Sequence, residues 1–102
     1  MPRPYASRAM GGADAILQAV RSGDVARVKR LLSGDARLAR ATGEHLKTPL
    51  HWAAEHDLRD IAEMLLQAGA DLTIRDTKFA STPEGWAAEG QHARICELLH
   101  RW

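Results

Sequence analysis

The chain has 102 residues with 45% hydrophobic residues, 14 Lys and Arg against 13 Asp and Glu, and a net charge of +1. That length suits one small domain with one modest core and leaves no room for two. The absence of any apolar run of 18 residues excludes a spanning helix, Met1 to Gly12 lacks the apolar stretch of a secretory signal, and the single Cys96 cannot form an internal disulfide, so a soluble cytoplasmic protein is expected.

Ala (18) and Leu (12) outnumber Val (3) and Ile (4) about four to one, which predicts an all-α fold. Residues 1–12, with two prolines and Gly11-Gly12, read as a flexible arm in which Met10 is an alternative start. From about residue 13 a first helix is expected behind an Asp14 N-cap. Gly23 then makes a turn, and a second helix follows behind Asp24 with Val25, Val28 and Leu32 as its inner stripe, closed by Ser33-Gly34. Asp35 to Arg40 adds a further helical turn, and Ala41 to Lys47 is a projecting finger.

Thr48-Pro49 places an N-cap and a first-turn proline at the start of a short helix, Pro49 to His56, whose Ala53-Ala54 pair lets another backbone come close. After Asp57, Leu58, Ile61 and Leu65 carry helical spacing up to a Gly69 cap. Gly69 to Ser81 forms a second finger, Thr82-Pro83 starts another helix, and a last helix shows Ile95, Leu98, Leu99 and Trp102 on one stripe. That stripe predicts either inward packing or a face for self-association and docking on an assembly.

Shifting the sequence by 34 residues lays Thr48–Ala68 over Thr82–Trp102 with nine of 21 positions identical, where chance gives roughly one or two. The same shift backward from Thr48 reaches Asp14 and superimposes Ala19 on Ala53, Leu31 on Leu65 and Leu32 on Leu66. Three copies result, about 13–42, 43–76 and 77–102, within one repeat domain over 13–102. The run Thr48-Pro49-Leu50-His51-Trp52-Ala53, followed by Leu65-Leu66-Gln67-Ala68-Gly69-Ala70-Asp71, resembles the ankyrin repeat family. The third copy departs from it: Glu84 and Gly85 replace Leu and His, and the loop Asp76–Ser81 carries one residue more than usual. Asp57 and Gln91 stand where a turn glycine is expected, although Gly90 lies one position earlier.

The resemblance implies a solenoid of antiparallel helix pairs, non-catalytic, presenting a groove of first helices and fingers to a protein partner. Repeat stacking independently favours an extended groove over a closed cavity. Trp52 and Trp86 recur at one place in successive first helices, where they are expected either to pack half-buried between repeats or to centre the binding surface. Glu55, His56 and Glu89 lie one turn on, and Glu44, His45, Lys47, Lys78 and Phe79 occupy the fingers.

The same spacing argues against other chemistry. His51 and His56 stand about 140° apart around a helix, unsuited to one metal, and His51 reads as a structural histidine near the helix start. Cys96 and His100, one turn apart, imitate a nucleophile pair, but a small buried hydrophobe suits Cys96. No phosphate loop is present, so no cofactor is expected. Arg21, Arg27, Lys29, Arg30, Arg37 and Arg40 make the only basic cluster; it lacks interleaved aromatics, and nucleic acid is the least favoured partner.

Overall fold

The structure, a computed structural model, describes residues 12–102. Six α-helices occupy them: α1 (Gly12–Arg21), α2 (Val25–Gly34), α3 (Pro49–Glu55), α4 (Arg59–Gln67), α5 (Pro83–Glu89) and α6 (Ala93–Arg101). They form three antiparallel pairs, with α1, α3 and α5 stacked in one row and α2, α4 and α6 in a second. Helices approach more closely along the first row, where Ala19, Ala53, Ala54 and Ala87 are all fully buried. Their lack of bulk permits that approach, so the first-helix row packs more tightly than the second.

Local chemistry explains each start and stop. Thr48 caps α3 by accepting from the His51 backbone N–H at 3.2 Å, and the His51 ring accepts the Thr48 N–H in return, a closed capping box. Thr82 caps α5 by accepting from the Gly85 N–H, with no side chain at Gly85 to close the box, and Asp24 caps α2 through the Arg27 N–H. Within each pair the chain reverses through one left-handed residue, Gly23 (φ 71°), Asp57 (φ 57°) or Gln91 (φ 59°). The next residue then donates back to the helix, Asp24 to Ala19 O, Leu58 to Ala53 O and His92 to Ala87 O, at 2.9 to 3.0 Å. These are three copies of one helix-ending motif, 34 residues apart.

Several expectations are corrected. Asp14 lies inside the first turn of α1 rather than capping it. Of the expected arm only Gly12 is described, and it opens α1; the rest of 1–12, Met10 included, lies outside the described residues. Gly34 ends α2 without a left-handed cap: Asp35 follows in extended conformation, and its carboxylate caps the 3-10 turn Ala36–Arg40. Gly69, by contrast, does take φ 103°. Val25, the first residue of α2, is exposed, while Val28 and Leu32 are buried as expected.

Of the two readings of the last stripe, inward packing is the one its first three residues follow. Ile95, Leu98 and Leu99 are 0, 2 and 3% exposed, since α6 turns its stripe onto α4 and α5 and spends it on the chain's own core. Only Trp102 remains open, at 54%.

Candidate functional site

The two fingers are short closed loops. Gly43 N–H donates to Lys47 O at 2.8 Å, with His45 and Leu46 both left-handed, and Asp76 N–H donates to Ser81 O at 3.1 Å, so the second loop spans one residue more. Thr77 N–H donates to His45 O at 2.8 Å and ties the fingers together. A second tie runs beneath: the His51 Nε2–H donates to Ser81 O at 2.9 Å, which links one helix pair to the next pair's finger. With Nδ1 accepting from Thr48, both ring nitrogens are committed. Burial holds His51 below the usual histidine value, against the raising influence of the Ser81 carbonyl and Asp76.

Asp76 is the pivot of the second finger. Its carboxylate is 1% exposed and accepts the backbone N–H groups of Lys78 (3.1 Å), Phe79 (2.7 Å) and Ser81 (2.9 Å) and the Trp86 indole N–H (3.0 Å). Burial opposes its ionisation, but the donors from Phe79, Ser81 and Trp86, helped by His51, outweigh that and bring its pKa down to about 2.

Above these ties lies a row of rings and cations. Lys47 extends from the finger base between the two indoles, its ammonium 3.7 Å from the Trp52 centroid and 4.3 Å from that of Trp86. It ends on Glu55 Oε1 at 2.7 Å, with only 13% of its side chain exposed. Two ring faces and a carboxylate compensate its loss of water. Arg21 lies 5.0 Å from the Trp52 ring, and His56 stacks parallel to it at 5.8 Å. At the other end Phe79 stands edge-on to Trp86 at 5.5 Å while 60% exposed. Phe79 thus packs onto the helix rather than only across its own loop.

Eight of the ten sequence-predicted residues line one cleft of about 300 Å³: Trp52, Trp86, Glu55 and the five finger residues. His56 flanks it beside Arg21, and Glu89 borders a separate notch with Phe79 and Trp86. The basic cluster is divided. Arg37 pairs with Asp35 at 3.0 Å, Arg40 donates to Gly69 O at 2.9 Å, and Arg21 turns into the groove. His100 faces Glu84 at 3.6 Å, not Cys96. Among the described residues no group of three or more metal-ligating side chains gathers, and no helix is long and apolar enough to cross a membrane.

Residues 5–76 match the family model described as ankyrin repeats (3 copies). The chain belongs to the ankyrin repeat family. Its ankyrin relatives include the serine/threonine-protein kinase VIK of Arabidopsis thaliana, 34% identical over 84 residues, covering 82% of this chain and 19% of that protein. NF-kappa-B inhibitor alpha of Gallus gallus is 38% identical over 72 residues, covering 71% and 22%. The 2-5A-dependent ribonuclease of Homo sapiens is 40% identical over 68 residues, covering 67% and 9%. The chain therefore spans less than a quarter of each of these curated relatives. Ankyrin repeats generally mediate protein–protein interaction and are typically non-catalytic.

Two residues that shape the groove escaped the ankyrin reading of the sequence. Asp76 begins a polar loop, and an Asp followed by turn residues signals a side chain that accepts from the backbone ahead of it. Arg21 reads in the sequence as one of the basic cluster, although the 34-residue shift places it on the Glu55 position and so beside the groove.

Proposed function

We propose that this chain binds a partner protein through the groove of its first helices and the two fingers, with Trp52, Trp86 and Phe79 as apolar anchors. Glu44, His45, Lys47, Glu55, His56, Lys78 and Glu89 form the charged margin, over repeats taken as 13–42, 43–76 and 77–102. One observation carries the reading: the aromatic row is held in place from within by Lys47 and Asp76 while Phe79 stays 60% exposed. Rings already immobilised lose little freedom when a partner covers them, and aromatic anchors dominate binding energy.

The test has two stages. A partner is first recovered with the intact chain as bait, and its affinity is then measured for Phe79→Ala, for Trp52→Ala/Trp86→Ala and for Glu97→Ala on the outer helix α6. Folding of each variant is checked by circular dichroism. The groove variants should weaken binding at least tenfold, about 1.4 kcal/mol or more, and Glu97→Ala should leave it unchanged. Unchanged affinity in folded groove variants refutes the reading.

A further inference from the structure

We propose that the notch between Phe79, Trp86 and Glu89 receives an arginine side chain of the partner polypeptide. The inference rests on the groove reading above and names the chemistry of one of its subsites.

The notch exists because of one substitution in the repeat. A shift of 34 residues places Gly85 on His51, whose ring fills the space between helix and finger. Gly85 leaves that space open, about 410 Å³ lined by Phe79, Ser81, Gly85, Trp86 and Glu89. The nearest atoms to a Cβ built at Gly85 belong to the Ser81 and Thr82 side chains, at the ordinary contact distances of 3.4 to 3.6 Å, so a side chain there is tolerated at its first carbon.

The walls define what fits. The Trp86 indole N–H is committed to Asp76, and the Ser81 carbonyl accepts from both His51 and Asp76, which leaves the Ser81 hydroxyl, 3.5 Å from Phe79 O, with acceptor capacity for an occupant that donates. Phe79 adds a ring that is 60% exposed. Glu89, one turn beyond Trp86 on α5, supplies the only ionisable group of the lining, and it makes no ion pair among the described residues. Lys47, the nearest cation to Trp86, is held by Glu55, and Lys78 lies over Phe79 at 5.5 Å from its own finger.

An apolar occupant would cover the rings and strip water from an uncompensated carboxylate. A lysine would bring a compact, strongly hydrated charge. A guanidinium satisfies both demands, because its flat face stacks on aromatic rings while its edge donates to a carboxylate. The same stack, Arg21 on Trp52 at 5.0 Å, is already built into this row.

The test uses the full chain and four capped pentapeptides, Gly-Gly-X-Gly-Gly with X as Arg, Lys, norleucine or Glu, titrated against the protein's 1H–15N spectrum. The Arg peptide should shift the Trp86 indole and Gly85 amide signals saturably, at least fivefold more tightly than the norleucine peptide. Glu89→Gln should remove that preference, and Gly85→Leu, which fills the notch with a better helix former, should abolish the shifts without lowering the melting temperature. Equal binding of norleucine and Arg, insensitivity to both substitutions, or no saturable shift at these signals overturns the proposal. If the peptides fail while partner affinity still falls with Trp52→Ala/Trp86→Ala, the arginine assignment is wrong and the groove reading stands. If the peptides bind as described while groove variants leave partner affinity intact, the notch binds arginine and the groove reading falls.

Discussion

Replacing Asp76 by Asn changes one buried atom and should cost about 2 to 3 kcal/mol. The carboxylate accepts four N–H donors from Lys78, Phe79, Ser81 and Trp86, two at each oxygen. An amide keeps one acceptor oxygen and turns an NH2 group toward two of those donors, and each buried donor left unsatisfied costs about 1 to 3 kcal/mol. The titration gives a similar figure, since holding a carboxyl at about 2 instead of 3.8 is worth about 2 kcal/mol at neutral pH.

The sign follows from the depressed value. The contribution is complete above the unfolded pKa of 3.8 and disappears as pH falls toward about 2. Urea unfolding of both proteins at pH 7, 5, 4 and 3 therefore should show the largest gap at pH 7 and 5 and a narrowing gap below 4. Trp86 fluorescence should report the loosened finger in the same samples. A gap under about 0.5 kcal/mol at pH 7, or one unchanged between pH 5 and 3, would refute the pivotal role given to Asp76.

Three further outcomes are expected. His51→Ala should destabilise by about 2 kcal/mol through loss of the Ser81 tie, and because burial lowers the His51 value, its contribution is full above 6.5 and declines as pH drops below that, readable from melting curves at pH 7.5 and 5.5. Gln91→Gly should stabilise by about 0.5 to 1 kcal/mol, since φ 59° strains any residue with a Cβ, whereas Gly23→Ala should destabilise by a similar amount, both measured by thermal unfolding. A double-mutant cycle on Lys47→Met and Glu55→Gln should give a coupling of about 1 kcal/mol or more, above the usual surface pair because Lys47 is largely covered; a coupling near zero would mean the ring contacts alone hold the lysine.

The helix pairs were legible because their determinants are local. Thr48-Pro49 and Thr82-Pro83 announce helix starts within a few residues, and the 34-residue shift supplies the long-range order that propensity lacks. The placement of Trp52 and Trp86 in one row followed from the same shift, with no contact information needed. What stayed hidden depends on geometry across the finger. Nothing in the sequence states that Lys47 leaves its loop to lie between two indoles, or that Asp76 reaches Trp86 ten residues away. Asp14 and Gly34 misled for a related reason: the first copy keeps the spacing of the repeat but its helices begin and end on different residues, so register alone could not place its caps.

The fingers close on themselves, Gly43 to Lys47 and Asp76 to Ser81, outside the helix pairs. The second closure starts one residue earlier in the repeat, at Asp76 rather than Thr77, yet Ser81 still falls on the Lys47 position and Thr82 still caps α5 as Thr48 caps α3. The closing bond is thereby chosen by the finger itself and not by scaffold register. A short insertion at 78–80, between the two closing residues, should leave the Thr82 cap and the 34-residue pitch of the stack intact, which makes this finger a natural place to graft a foreign sequence.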